Sequence, residues 1–148
     1  MRYRSDNADN PLLFFLQDYE FKLNLFVCIL MQVELSNILE KIVDHLRTMS
    51  CSFLFRKPVT KKEAPDYFDI IERPMDLGTI RDKVRKMEYK NREDFRHDVA
   101  QIALNAHTYN LNRHPHIPPL ADELLELCDY LLEESADVLD DAEYAIED

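Results

Sequence analysis

The sequence predicts an all-α fold, a helical bundle whose first two helices are joined by one long apolar loop. Three observations indicate this class. Apolar residues recur at spacings of three and four in four separate segments, which is the period of amphipathic helices. The chain of 148 residues holds a single glycine, Gly78, whereas the tight turns of β-rich folds draw on glycine for positive φ. The stretch 50–75 is proline-bearing yet rich in apolar side chains, so we expect it to fold over one end of the bundle.

The first two predicted helices are defined by their apolar stripes and their caps. The first stripe begins at Leu35, with Ser36 as the expected N-cap. The second helix begins after Asp76, a good N-cap, and Gly78 falls in its first turn. The stripes consist of Leu35, Ile38, Leu39, Ile42, Val43 and Leu46 in the first helix and Leu77, Ile80, Val84 and Met87 in the second.

The third and fourth predicted helices carry equally clear start signals. Asn91 is the expected N-cap of the third, with Asp94 three residues later in a position typical of a capping box. The fourth follows Pro118 and Pro119, since proline suits a first helical turn. Their stripes are Phe95, Val99, Ile102, Ala106 and Tyr109, and then Leu120, Leu124, Leu127, Cys128, Leu131 and Val138.

The charge balance excludes several functions. The formal net charge is −11, and residues 122–148 hold 12 acidic side chains and no basic one, which predicts an acidic amphipathic last helix. The single glycine excludes glycine-rich phosphate loops, which need at least two. The basic residues of segment 81–96 alternate with acidic ones, as on a solvated helix face. We therefore expect basic partners and no direct binding of nucleic acid.

The N-terminal third contains an apolar stretch, residues 23–33, that is too short to span a bilayer. Acidic residues precede it and no cleavage site follows, so it does not resemble a signal peptide, and no membrane partner is expected. Two interpretations stay open: an extra helix packed on the domain, or a segment of a longer parent protein. Cysteine is present as Cys28, Cys51 and Cys128, an odd set without CxxC spacing, which favours a reducing compartment.

Catalytic and metal-binding patterns are weak. The candidates for a nucleophile and its base are His97, His107 and Cys128. Their spacing in the sequence does not indicate a catalytic pair, and each is equally well explained as a structural residue. His114 and His116 have no cysteine or carboxylate at a ligand spacing. We expect no catalytic residue, no metal and no cofactor in this chain.

Four motifs occur in order: residues 55–59 (FRKPV), 64–71 (APDYFDII), 73–80 (RPMDLGTI) and 105–110 (NAHTYN). This series resembles the bromodomain pattern. The resemblance implies a left-handed four-helix bundle that recognises acetylated lysine, typically on histone tails. It predicts a bromodomain over 35–141, an N-terminal extension of unknown role over 1–34, and an acidic end over 142–148.

The resemblance also implies the site residues. Asn110 matches the asparagine whose amide donates to the acetyl carbonyl oxygen, and Tyr67 the tyrosine that reaches this oxygen through a water. Ile117 matches the apolar gatekeeper, with His116 as its rival. The remaining pocket positions are Val59, Phe55, Pro58 and Tyr109, and the rim positions are Phe53, Leu54, Ala64 and His116.

The chain departs from the family pattern at the rim. The family's Trp-Pro-Phe shelf reads Phe53-Leu54-Phe55, and Glu63 and Ala64 replace larger apolar residues, which makes the rim more polar and open. Taken alone, Asn110 is better explained as a helix C-cap and Tyr67 as a core residue. The ordered combination of motifs favours the binding pocket.

The resemblance leads to one main hypothesis and two others. The main hypothesis is a nuclear, non-enzymatic reader of acetylated histone tails or other acetylated nuclear proteins. Residues 58–62, 89–93 and 117–121 most resemble bromodomains of the general transcription machinery, which implies transcription-initiation complex subunits as partners through the parent protein. The alternative is a degenerate helical scaffold for protein–protein interaction that does not bind acetyl-lysine. Acetyltransferase activity is disfavoured, because one glycine makes an acetyl-CoA loop hard to build.

Overall fold

The computed structural model describes residues 10–147, and within them all regular structure is helical. The predicted all-α bundle is confirmed. A 3-10 helix, Ser50–Phe55, follows the first α-helix. The α-helices, in chain order, are α1 (Pro11–Thr48), α2 (Tyr67–Ile70), α3 (Leu77–Arg85), α4 (Arg92–Asn110), α5 (Ile117–Glu134) and α6 (Ala136–Glu147).

Helix α1 is much longer than the sequence pattern predicts. It begins at Pro11, where the side chain of Asn10 accepts a 3.0 Å hydrogen bond from the backbone N–H of Leu12. The prediction of an N-cap at Ser36 is wrong. Ser36 lies buried inside the helix, and its hydroxyl donates a 2.7 Å hydrogen bond to the carbonyl of Val84 on α3. Residues 11–34 are therefore a helical continuation of the first bundle helix.

The predicted domain limits fall inside helices. The limit after residue 34 lies within α1, and the limit after residue 141 lies within α6. The division into 1–34, 35–141 and 142–148 stays a prediction about domain extent. Residues 1–9 and residue 148 of the two terminal segments are outside the described residues.

The predicted starts of α3 and α4 are confirmed. The side chain of Asp76 accepts a 3.0 Å hydrogen bond from the N–H of Thr79, and that of Asn91 accepts one of 2.9 Å from the N–H of Asp94. Met87 does not continue the α3 stripe, because the helix ends at Arg85 and Met87 is exposed with a φ of 57°.

The last predicted helix is two helices. Helix α5 ends at Glu134, where the N–H of Ser135 donates to the carbonyls of Leu131 and Leu132, and α6 follows. In α6, Leu139 is buried and Val138 is exposed, contrary to the predicted stripe, because Leu139 continues the face on which Cys128 and Leu132 are buried. Two basic residues of α4 neutralise part of the acidic charge: Arg92 pairs with Asp140 and Glu143 of α6, and Arg96 pairs with Asp129 of α5.

The bundle core lies between the C-terminal third of α1 and helices α3 to α6. Its fully buried side chains include Leu39, Leu46, Ile80, Phe95 and Leu124. At the end of the bundle where α1 finishes, the long loop 50–76 passes over the core. The short helix α2 and the 3-10 helix lie in this loop, which forms one wall of a cavity.

Two further features concern the whole described chain. None of its helices combines the length and the apolar character needed to cross a membrane. Its three cysteines are free thiols, and Cys51 and Cys128 are buried in the core.

Candidate functional site

A cavity of about 230 Å³ opens between the long loop and the helices that follow it. One wall is the loop, the opposite wall is the C-terminal half of α4, and α5 begins at the mouth. The cavity is mostly apolar, with a few polar groups at its base and rim. Its lining consists of Leu54, Phe55, Lys57, Val59, Glu63, Ala64, Tyr67, Met75, Ile102, Ala106, Tyr109, Asn110, His114 and Ile117.

Asn110 supplies a polar group to this lining. It is the last residue of α4 and is only 6% exposed. Its amide nitrogen donates a 2.8 Å hydrogen bond to the carbonyl of Ala106, one helical turn earlier. A side-chain amide has two hydrogens to donate. The second hydrogen of the Asn110 amide makes no hydrogen bond to any residue that the structure describes.

Tyr67 faces Asn110's helix from the loop. Helix α2 begins at this residue, and its ring packs edge-on against the ring of Tyr109, with centroids 4.9 Å apart. Ala64 and Ile71 complete a small buried cluster that Val59 joins. Burial raises the pKa of Tyr67, with smaller effects from Tyr109 and Asp76. The Tyr67 hydroxyl is therefore a neutral donor and acceptor at physiological pH.

A polar cluster fixes the rim. The hydroxyl of Tyr109 donates a 2.8 Å hydrogen bond to Oδ1 of Asp66, while Arg113 binds Oδ2 at 2.7 Å. The Arg113 guanidinium also lies 4.3 Å from the centre of the Tyr109 ring. The hydrogen bond from Tyr109 lowers the pKa of Asp66, and the same bond raises the pKa of Tyr109. Asp66 is therefore an ionised carboxylate at neutral pH and accepts the hydrogen bonds from Tyr109 and Arg113.

Gly78 explains how the loop is attached to the bundle. Its N–H donates a 3.1 Å hydrogen bond to the carbonyl of Arg56, so the loop backbone touches the first turn of α3. A Cβ at this position would lie 2.9 Å from Oδ2 of Asp76 and 3.0 Å from the Arg56 carbonyl oxygen. Only glycine allows this close approach without displacing the backbone.

The structure brings most of the sequence-predicted residues together. Of the predicted pocket set, Pro58 alone lies outside the lining. It borders an adjacent groove that also contains Phe53. Leu54 and Ala64 from the predicted rim line the cavity. His116 does not, whereas Ile117 does.

Several lining residues were not predicted. Ile102 and Ala106 precede Asn110 by eight and four residues, so they occupy the same face of α4, and helical periodicity could have indicated them. His114 also lines the cavity, and it was not among the predicted site residues. Asp66 and Arg113 orient the rim, and only the fold shows that they meet, since they are 47 residues apart.

The comparison with protein families agrees with this geometry. The bromodomain family model matches residues 36–119, more than half of the chain. The chain belongs to the bromodomain family. A solved structure titled as the bromodomain from human BAZ1A superposes with a TM-score of 0.61 at 32% identity, covering 66% of this chain and 90% of that one.

This bromodomain is similar in sequence to plant proteins. It is 99% identical over 117 residues to transcription initiation factor TFIID subunit 1 of Oryza sativa subsp. japonica, covering 79% of this chain. Identity is 66% over 117 residues to TFIID subunit 1 of Arabidopsis thaliana, covering 78% of this chain. The chain spans only 6% of the length of each of these relatives. The predicted resemblance to bromodomains of the general transcription machinery is confirmed. The relatives that show it include TFIID subunit 1 from two plants.

Proposed function

We propose that this bromodomain binds acetylated lysine in histone tails or other nuclear proteins. The observation that supports the proposal is the placement of Asn110. Asn110 lines a cavity whose walls are mostly apolar, and Tyr67 lines the same cavity from the long loop. An acetyl-lysine side chain has a methyl group to bury and a carbonyl oxygen that needs a donor. The second amide hydrogen of Asn110 is such a donor.

Selectivity comes from the charge that acetylation removes. The apolar walls of the cavity gain from burying the acetyl methyl group, and each hydrogen bond to the carbonyl contributes about 1 kcal/mol net. An unmodified lysine would have to bring an ammonium group to the same place. Glu63, the sole carboxylate in the described lining, is an exposed residue of the loop. Burying an ammonium without a partner costs several kcal/mol, so the charged form is rejected.

The proposed setting is nuclear. The similar proteins are named as transcription initiation factor TFIID subunits, and a further relative, 39% identical over 101 residues, is named SAGA complex subunit Spt7 of Schizosaccharomyces pombe. Subunits of a transcription-initiation complex are therefore the proposed partners, reached through a longer parent protein. The domain itself acts by binding and not by catalysis.

Few contacts imply weak binding. One direct and one water-mediated hydrogen bond with one buried methyl group predict a dissociation constant on the order of micromolar to millimolar for a single peptide. Tight attachment to chromatin would then need a second binding module in the parent protein.

The test is an NMR titration of the chain with acetylated and unacetylated histone peptides. We expect shifts of the cavity residues with the acetylated peptide alone, and their loss in Asn110→Ala. Asn112→Ala removes an exposed asparagine outside the lining and is the matched control, which should bind as the unaltered chain does. Equal shifts with both peptides, or unchanged binding by Asn110→Ala, would support a scaffold that does not read acetylation.

A further inference from the structure

The N-terminal half of α1 carries many apolar side chains that are exposed to water. Helix α1 has 38 residues, but its buried residues begin only at Leu35. Residues 11–34 expose twelve large apolar side chains, each between 41% and 71%. They are Leu12, Phe14, Phe15, Leu16, Tyr19, Phe21, Leu23, Leu25, Phe26, Val27, Ile29 and Leu30.

Part of this set forms a regular seam. Apolar residues occur from 12 to 33 at spacings that alternate strictly between four and three. This is the heptad repeat by which helices pair in coiled coils, sustained here over three heptads. We call these positions the α1 seam: Leu12, Leu16, Tyr19, Leu23, Phe26, Leu30 and Val33.

The α1 seam faces away from the bundle. At 100° per residue, its direction differs by about 160° from that of the core stripe that starts at Leu35. The side of α1 that continues the core stripe carries Phe21, Leu25 and Cys28, which border a groove beside Tyr144 of α6. Helix α6 therefore lies on the opposite side of α1, and the seam is open to a partner.

The size and charge of this surface suit pairing with an identical helix. The six exposed residues of the α1 seam are each 45% to 65% exposed and together present roughly 600 Å² per chain, at about 150 to 250 Å² for a fully exposed large side chain. Two paired seams would bury roughly 1,200 Å² in total, which is the lower limit of a standard protein–protein interface. The charged residues of the segment are few, and two of them, Asp18 and Lys22, pair with each other at 3.0 Å. Two copies would therefore meet without strong repulsion.

We propose that the chain forms a homodimer in which the α1 seams of two copies pair as a coiled coil. The seam lies outside residues 36–119, so the proposal concerns a surface that the bromodomain match does not include. The cavity is at the other end of α1, because the helix leads into the 3-10 helix whose Phe55 lines it. Both cavities of the dimer stay open, and an acetylated tail with two marks could occupy both.

The test is the molar mass of the whole chain in analytical ultracentrifugation over a range of concentrations. We expect a reversible dimer with twice the mass of the chain. The double substitution Leu16→Glu with Leu23→Glu should give a monomer, since it puts charges at the centre of the seam. Gln17→Glu with Gln32→Glu adds the same charge at exposed positions outside the seam and should remain a dimer.

Both variants keep the bundle intact, because none of these residues belongs to its core. Circular dichroism and the NMR spectrum of the cavity residues verify this. A monomer at all concentrations, an assembly of more than two copies, or a dimer unaffected by the seam substitution would overturn the proposal. Monomeric chain that sediments with phosphatidylcholine vesicles would also overturn it, and would assign the apolar helix to a lipid surface.

Discussion

The hydroxyl of Tyr109 donates a 2.8 Å hydrogen bond to Oδ1 of Asp66. Tyr109 is in the last turn of α4, next to Asn110, and Asp66 immediately precedes Tyr67 in the long loop. This single bond therefore links the two segments that carry the polar groups of the cavity. Arg113 completes the link by binding the second oxygen of Asp66.

The first prediction concerns the pH range over which this link holds. The pKa of Asp66 is lowered chiefly by the hydrogen bond from Tyr109, and Arg113 contributes less. A carboxyl group with a lowered pKa stabilises the fold fully above its ordinary pKa and loses this contribution as the pH falls through the lowered value. The link should therefore weaken in acid, below about pH 4.

An NMR titration of the Asp66 carboxyl group measures this directly. We expect a pKa below the ordinary aspartate value in the unaltered chain. Tyr109→Phe should raise it by more than Arg113→Gln does, because the hydrogen bond is the larger cause. An unshifted Asp66, or a larger rise in Arg113→Gln, would show that the link is not made as described.

The second prediction is that Gly78→Ala destabilises the chain. Alanine is normally the better helix former by about 1 kcal/mol. Here its Cβ would press on the backbone oxygen of Arg56 at 3.0 Å, a contact that a side-chain rotation cannot relieve. We expect Gly78→Ala to lower the free energy of unfolding, measured in urea, by about 1 kcal/mol or more. Asp82→Ala, at an exposed position of the same helix, should have almost no effect. A gain in stability from Gly78→Ala would contradict the close approach of loop and helix.

The third prediction concerns a buried carboxylate between α3 and α4. Asp98 is 3% exposed and accepts from the hydroxyl of Tyr89 at 2.6 Å and from the ammonium of Lys83 at 2.5 Å. Burial and the bond to Asp98 raise the pKa of Tyr89, so it stays a donor. Asp98→Ala should lower the free energy of unfolding, measured in urea, by about 2–3 kcal/mol, because it leaves both donors without this acceptor.

Two other variants separate these contributions. Tyr89→Phe removes one donor and should lower the free energy of unfolding by about 1 kcal/mol. Asp98→Asn retains an acceptor and should cost less than Asp98→Ala. An equal effect of the asparagine and alanine variants would show that the carboxylate fills space without accepting these bonds.

The fourth prediction separates the roles of the two polar cavity residues. If Tyr67 acts through a water, Tyr67→Phe should weaken binding of an acetylated peptide only about fivefold, the equivalent of about 1 kcal/mol. Asn110→Ala should weaken it more, because it removes the direct donor. Isothermal titration calorimetry with the same peptide measures both affinities. A larger loss in Tyr67→Phe than in Asn110→Ala would contradict the assigned order.

The sequence predicted the bundle helices well where one apolar stripe faces one core. It misplaced the start of α1, because the apolar residues before Leu35 surround the helix and give no single buried stripe. No glycine or proline interrupts the chain between Pro11 and Thr48, and this absence of helix breakers indicates the continuous helix. The break at Ser135 has no proline or glycine to mark it, so the sequence did not indicate it. Leu139 and Ala142 of α6 are buried in the core.

The site was predictable to the extent that motifs determine it. The residues of the ordered motifs, among them Asn110, Tyr67 and Val59, meet in one cavity because the motifs lie on fixed elements. The choice between Ile117 and His116 depends on the path of the short loop after Asn110, which residue spacing does not determine. The pairing of Asp66 with Arg113 depends on the tertiary packing of loop and helix, so no local pattern indicates it.

The central claim is tested most directly by a crystal structure of the chain with a histone peptide that carries one acetyl-lysine. The account predicts the acetyl group in the cavity between Val59 and Ile102, with its carbonyl oxygen within hydrogen-bond distance of Nδ2 of Asn110. A peptide bound elsewhere on the chain, with the cavity empty at saturating peptide, would contradict it.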